Sequence, residues 1–417
     1  MKNYYVFDTS SLILEAYTLF EDYKNIVIPS ICLTELEYIK TSADKDPEIK
    51  QAVRNLLDLL DKNPDLYEIH LFRNSMLQKA KEEDLEINND VKILMTAVDY
   101  DINCHPDETI FVSNDNSQKR IANIFFGNDS IKSVNVDDTN YTGYKEIKMN
   151  EDEMADFYSH QNENKYNLLI NEYLIIEDQA GNIVDKLCWT GKEFRQVKYY
   201  DFSSRQFGKV KPINGDIYQA LTVDSLAENK ITMITGKAGS GKTFLSLGYL
   251  FYKLEHGEID KIVVFCNTVA TKNSAKLGYY PGSRDEKLLD SQIGNMLISK
   301  LGSRTELERM MEDETIMLLP LSDIRGYDTT GMKAGVYISE AQNLDINMMK
   351  LALQRIGEDS LCIIDGDTET QVDLPMYADF YNGMKRASKV YRGHKEYGQI
   401  KLQKIHRSRI AEIADLM

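Results

Sequence analysis

No stretch of the sequence approaches the run of about 18 apolar residues that a membrane helix requires. The opening residues Met1-Lys2-Asn3-Tyr4-Tyr5-Val6-Phe7 lead into a strand pattern and lack the cleavage region of a secretory signal. A cytoplasmic protein without a membrane partner is expected. Paired cysteines are missing too: Cys32, Cys104, Cys188, Cys266 and Cys362 are odd in number, far apart and free of any C-x-x-C pair. That excludes a disulfide framework and predicts reduced thiols in the core. There is no excess of positive charge, since 49 Lys and Arg face 66 Asp and Glu for a net −17. Nucleic-acid binding must then rely on local patches. The 417 residues, 42% of them hydrophobic, suffice for two or three domains with separate cores.

The sharpest signal present is Gly236-Lys237-Ala238-Gly239-Ser240-Gly241-Lys242-Thr243, which fits the phosphate-loop pattern G-x-x-x-x-G-K-[ST] at every position. Lys230 to Thr235 before it reads as a buried strand, and Phe244 to Leu250 after it has a helical apolar pattern. Glycines let successive N–H groups face an anion, and the helix aims its positive end at the same point. A triphosphate suits such a cradle. Lys242 would reach the β- and γ-phosphates and the Thr243 hydroxyl would ligate magnesium, with Phe244 opening the helix behind them.

Towards the N-terminus, acids fall repeatedly at strand ends and helix starts. Asn3 to Phe7 delivers Asp8, the strand Asn25 to Pro29 precedes a helix carrying Glu35, Asp90 opens a helix through Ile93 and Val98, and Thr109 to Val112 ends near Asp115. Each has a plain explanation as a cap or turn residue. Together, in one α/β unit, they suggest a carboxylate cluster that hard cations would neutralise. The order and spacing resemble the PIN ribonuclease domain over residues 1–135, on "FDTSSLI", "LTELEYIK", "NNDVKIL" and "VSNDNSQKR". The resemblance implies that Asp8, Glu35, Asp90 and Asp115 hold Mg²⁺ or Mn²⁺ and activate water against an RNA phosphodiester.

Residues 136–204 read as an acidic linker, with Glu151-Asp152-Glu153 in a short helix, followed by a three-stranded meander from Glu172 to Tyr199. Between Lys186 and Lys211, Lys186, Lys192, Arg195, Lys198, Arg205, Lys209 and Lys211 alternate with Trp189, Phe194, Tyr199, Tyr200, Phe202 and Phe207. Such interleaving suits a single-stranded nucleic acid, and equally a solvated, half-buried sheet.

The C-terminal stretch alternates strands and helices, which implies a parallel sheet with ligand groups at its carboxyl edge. Over residues 205–417 it resembles the PhoH-like ATPases, relatives of the superfamily 1 helicases, in a RecA-like α/β fold. The resemblance rests on Gln219, Gly236 to Thr243, "LGYYPG" with Glu286-Lys287, Arg325-Gly326, "SEAQN" at Ser339 to Asn343, Arg355, Gly366-Asp367 with Gln371, and Arg407-Ser408. It implies ATP-driven unwinding or translocation of single-stranded RNA coupled to RNA cleavage, in a homo-oligomeric, hexameric ring. The implied roles are adenine contact for Gln219, orientation of the attacking water for Glu340, γ-phosphate sensing for Gln342 and Gln371, and an arginine finger across a subunit boundary for Arg407.

Three departures stand out: Ser339 where the family carries aspartate, Asn267-Thr268 where it carries Arg-Pro, and a Gly-Asp…Gln spacing longer by one residue. A neutral Ser339 withdraws charge from the magnesium shell, which Asp365 and Asp367 on a neighbouring strand could lend back. It keeps open a second reading, a nucleotide-gated RNA-binding or assembly protein with weak ATPase and a silent nuclease. A third, a kinase of small acceptors, leaves Gln219, Gln342, Gln371 and the acidic N-terminal stretch unexplained.

Overall fold

The computed structural model describes residues 2–15, 19–42, 47–104, 108–127, 130–132, 141–266, 288–290, 292–368 and 382–406. The chain forms two compact units, Met1–Asp137 and Asp138–Met417.

In the first unit, β1 (Tyr4–Phe7), β2 (Ile26–Pro29), β3 (Tyr67–His70), β4 (Thr109–Val112) and β5 (Ile131–Lys132) make a parallel sheet in the order β3-β2-β1-β4-β5. A parallel sheet is covered on both faces, so its inner strands are apolar without alternation. Every residue of β2 and of β4 is buried. The strand order reverses direction between β1 and β4, and such a switch point opens a crevice at the carboxyl ends. Asp8 follows β1 there and Asp115 follows β4.

The second unit begins with a four-stranded sheet in the order β6-β7-β8-β9, from β6 (Tyr144–Lys148), β7 (Tyr173–Glu177), β8 (Ile183–Trp189) and β9 (Phe194–Gln196). The meander is therefore joined by a fourth strand, β6, which pairs parallel to β7 within the stretch whose composition suggests a linker. Glu151, Asp152, Glu153, Asp156 and Glu163 lie outside while Tyr144, Met149 and Phe157 are buried. The short helix Glu151–Ser159 starts with a capping box between Asn150 and Glu153. Gly143, at φ 85°, tolerates no side chain, since a Cβ there would stand 1.5 Å from the Gln399 carbonyl oxygen. The small sheet is thus pressed against the strand that carries Gln399.

Much of the basic aromatic stretch is engaged inside this unit, while Lys192 and Lys211 are exposed. Trp189, Phe194 and Phe202 are buried, and Phe202 stacks at an angle on Tyr249 and Tyr252. Arg195, Lys198, Arg205 and Lys209 are ion-paired with Asp224, Glu228, Glu255 and Asp201. Tyr199 stands out, 67% exposed. The half-buried-sheet reading accounts for these residues.

Asp224 is the deepest of those partners. Both its oxygens take Arg195 (2.9 and 2.7 Å), and the Tyr173 hydroxyl (2.7 Å) and the Lys198 N–H (2.7 Å) also donate to it. Its side chain is fully buried. Arg195→Met strands that carboxylate, and unfolding of the unit should become easier by about 3–5 kcal/mol in a denaturant titration. Adding Asp224→Asn, whose amide oxygen still accepts from the Lys198 N–H while its NH2 donates to the Tyr173 hydroxyl oxygen, should restore most of the loss; no recovery would mean that Arg195 acts through packing alone.

After the hairpin β10 (Phe202–Ser204) and β11 (Gly208–Val210) come β12 (Ile231–Gly236), β13 (Lys261–Cys266), β14 (Ile316–Pro320), β15 (Ala334–Ile338), β16 (Leu361–Gly366) and β17 (Tyr397–Leu402). These six form a parallel sheet in the order β14-β13-β15-β16-β12-β17. Of the cysteines, Cys32, Cys188, Cys266 and Cys362 are free and buried as expected, whereas Cys104 is exposed at the end of the helix Asn89–Asn103. Among the described residues no helix is long and apolar enough to cross a membrane.

Candidate nucleotide and metal sites

β12 delivers the glycine-rich loop to the carboxyl edge of the large sheet, and the helix Lys242–Glu255 leaves from it. Gly236, Gly239 and Gly241 all take positive φ (146°, 85° and 97°), where other residues are strained. A Cβ on Gly241 would also meet the Gln219 amide nitrogen at 2.8 Å. The Lys242 ammonium is folded back onto the Gly236 and Lys237 carbonyl oxygens at 2.5 and 3.1 Å. Those oxygens occupy the place in its shell that phosphate oxygens would fill. The Ser240 hydroxyl is buried without a partner among the described residues. An orphaned donor beside the loop fits an anion that is to be bound there. Lys237 is exposed, and Ala238 lies between it and Gly239.

Gln219 sits at the start of the helix Ile217–Glu228, which Asp216 caps. Its amide donates to the Ser240 carbonyl (2.9 Å) and accepts from the Ile213 N–H (2.8 Å). Gln219 is buried, so in this structure it braces the loop. The Phe244 ring packs 6.1 Å from that of Phe207, in the core beneath the loop.

Past β15, Ser339 is buried and Glu340 is exposed in the left-handed region at φ 51°. Such backbone costs of order 1 kcal/mol or more and collects at functional sites. The Gln342 amide donates to the Glu340 carboxylate (2.6 Å), while its oxygen accepts from the Asp367 N–H (3.1 Å). Asp365, near the end of β16, accepts from the Tyr337 hydroxyl (2.6 Å) and the Glu340 N–H (3.3 Å), and its Oδ2 lies 3.4 Å from the Thr243 hydroxyl. Burial pushes its carboxyl up to about 6, against the pull of the Tyr337 hydrogen bond and the Lys242 charge. A small cavity of about 30 Å³ opens beside Gly236, lined among others by Asp367, Thr368, Lys385 and Lys401.

Gln371, Arg407, the block Leu277 to Lys287 and Asn267-Thr268 lie outside the described residues. Arg407's neighbour His406 is held by the loop of its own chain: its N–H donates to the Gly239 carbonyl (2.9 Å), and its ring pairs with Asp216 (2.8 Å).

In the first unit the four acids gather at the β1/β4 crevice. Asp8 caps the helix Thr9–Leu14 through the Ser11 N–H (2.6 Å), and its other oxygen takes the Ser113 hydroxyl (2.6 Å). Glu35 accepts from the Thr9 hydroxyl (2.5 Å) and the Asn89 amide (2.8 Å). Asp115 caps the helix Asn116–Ala122 through the Ser117 and Gln118 N–H groups. Asp90 is raised above the usual carboxylate range by burial first, then by the charges of Glu35, Asp115 and Asp8. Their mutual repulsion is thus written on Asp90. Among the described residues no three acidic, histidine or cysteine side chains are drawn close enough to hold a metal ion between them. By donor type the set fits a hard divalent cation, since every member is a carboxylate oxygen. Sequence reasoning passed over Thr9, Asn89 and Ser113, although all three stand inside the quoted acidic motifs.

Residues 210–416 match the family of PhoH-like proteins, and residues 5–125 match the PIN domain. The chain is 26% identical over 445 residues to Protein PhoH2 of Bacillus subtilis, covering 99% of each. It is 23% identical to Protein PhoH2 of Thermobispora bispora, over 99% of this chain and 96% of that one. A PhoH-like protein of Mycobacterium tuberculosis is 30% identical over 199 residues, 46% of this chain and 53% of its own. The chain is therefore a PIN domain followed by a PhoH-like phosphate-loop domain, in an order that aligns end to end with the proteins called PhoH2.

Proposed function

We propose that the chain hydrolyses ATP at the loop Gly236 to Thr243 to open or translocate single-stranded RNA, and cuts that RNA at Asp8, Glu35, Asp90 and Asp115. The observation that carries the motor reading is the hydrogen-bonded path from Glu340 through Gln342 to the backbone of Asp367. It ties the carboxylate that would orient water to the end of a neighbouring strand, so a change at the γ-phosphate has a route to the sheet edge. Lys242 neutralises phosphate charge, the loop N–H groups and Ser240 hold the anion, and Glu340 orients the water. Gln342 and Gln371 sense the γ-phosphate, and Arg407 completes the site from a neighbouring subunit of a hexameric ring in the cytoplasm. Bound Mg²⁺ or Mn²⁺ supplies charge neutralisation at the phosphates and a water of lowered pKa at the nuclease acids.

Ser339 favours one alternative, a nucleotide-gated RNA-binding or assembly protein with weak turnover and a silent nuclease. Both readings are tested by measuring ATP turnover by the full chain with and without single-stranded RNA, while following the RNA for cuts in Mg²⁺ and in Mn²⁺. RNA-stimulated turnover with metal-dependent cuts supports the first. Slow turnover indifferent to RNA, with intact RNA in every divalent metal, overturns it in favour of the second.

A further inference from the structure

In parallel strands, residues directly opposite on neighbouring strands point to the same face. β15 and β16 are paired with Tyr337 opposite Ile363 and Ile338 opposite Ile364. Continuing that register by one step sets Ser339 beside Asp365, one inter-strand spacing of about 4.8 Å apart. β16, unlike β15, is the immediate neighbour of β12, the strand that feeds the loop, and Ile234 lies opposite Asp365. A carboxylate at Asp365 therefore stands at the same level of the sheet as one at Ser339 would, one strand nearer the loop. Its Oδ2 is the oxygen that approaches the Thr243 hydroxyl at 3.4 Å.

The surroundings of Asp365 leave its charge poorly met. It is 1% exposed. Its hydrogen bonds come from two neutral hydroxyls, Tyr337 and the more distant Thr243, and one backbone N–H, that of Glu340. The nearby ammonium of Lys242 is turned onto the loop carbonyls. Burying a carboxylate without a counter-ion is costly, and a neutral side chain here would escape that cost. A divalent cation beside Thr243 removes it. In phosphate-loop enzymes the cation is held by the loop Ser or Thr together with a strand-end aspartate.

We propose that Asp365 is that aspartate in this chain: with Thr243 it holds the divalent cation of the bound nucleotide, in place of the strand-end position where Ser339 stands. The inference rests on the nucleotide reading of the loop. Its consequence is that the neutral Ser339 does not weaken metal binding, because the charge has moved sideways by one strand with no change of register. Tyr337 then acts as a positioning residue, fixing the Asp365 carboxylate by its hydroxyl.

The test uses the full chain, a fluorescent non-hydrolysable ATP analogue and Mn²⁺ as the metal probe. Analogue affinity is measured in EDTA, and Mn²⁺ affinity of the analogue complex by electron paramagnetic resonance. Asp365→Asn should weaken Mn²⁺ binding in that complex by about 10- to 100-fold, the size found when support for a metal site is removed. Its affinity for the analogue in EDTA should be unchanged or tighter, since a negative charge near the phosphates is gone. Ser339→Asp alone should change Mn²⁺ affinity by less than about threefold, and should restore most of it when combined with Asp365→Asn. Wild-type Mn²⁺ affinity in Asp365→Asn overturns the inference, and so does a tenfold gain from Ser339→Asp alone, a variant that leaves Asp365 and its contacts intact. If the wild type binds no analogue under any condition, the nucleotide reading itself fails, an outcome distinct from both.

Discussion

Lys242→Ala is expected to remove ATP turnover while leaving metal binding by the N-terminal unit untouched. Lys242 opens the helix at the end of the loop: in the structure its ammonium rests on the Gly236 and Lys237 carbonyls, from which a phosphate, carrying full negative charge, would draw it away. Losing a charged donor aimed at the reacting phosphoryl group costs about 10²–10³ in kcat. Stability should hold within about 0.5 kcal/mol, because the half-buried side chain supports only carbonyls that water can serve. A coupled ATPase assay and a denaturation curve on the same preparation check both halves. Turnover at the wild-type rate would sink the assignment of this loop as the catalytic site.

The second large effect belongs to Asp8. Asp8→Asn is expected to abolish metal-dependent RNA cleavage and, without metal, to stabilise the first unit by about 1 kcal/mol. Asparagine keeps the cap on Thr9–Leu14, since its amide oxygen still accepts from the Ser11 N–H. What changes is the charge at the crevice, where Asp90 already feels Glu35, Asp115 and Asp8. Thermal unfolding in EDTA, then with Mn²⁺ added, separates the two contributions. The variant should melt higher than the wild type in EDTA and gain less from the metal. Equal gains from Mn²⁺ would remove Asp8 from the ligand set, and a wild type that cuts no RNA in any divalent metal would favour the silent-nuclease reading.

The two parallel sheets were legible in the sequence because buried parallel strands leave short runs of apolar and β-branched residues without charge, as in Ile26–Pro29, Thr109–Val112 and Ile231–Gly236. The acids were legible for the same reason: Asp8 and Asp115 follow such runs, Asp90 opens a helix, and Glu35 lies in the helix after one. β6 was hidden, since Tyr144–Lys148 alternates for only five residues among acids and is specified by its pairing to β7, some thirty positions on. The basic aromatic stretch stayed ambiguous because cations look alike in a sequence whether they wait for phosphate or are already paired. Only Asp224, Glu228, Glu255 and Asp201, up to 50 residues away, decide that. Asp365 was visible as a nearby charge, but its approach to Thr243 depends on the order of strands, to which local patterns are blind.

The seam at Gly143 and the fourfold grip on Asp224 bear on where this protein can be divided. A cut at residue 210, where the match to PhoH-like proteins starts, falls at the last residue of β11. It discards Arg195, Tyr173 and Phe202, leaving a bare carboxylate in the helix beside the loop strand and an uncovered aromatic face on the helix after it. The transferable part, for a designer grafting this engine or a genome recombining it, begins near Asp138. The small sheet belongs to that cargo, and the border drawn by sequence resemblance runs through the middle of a working piece.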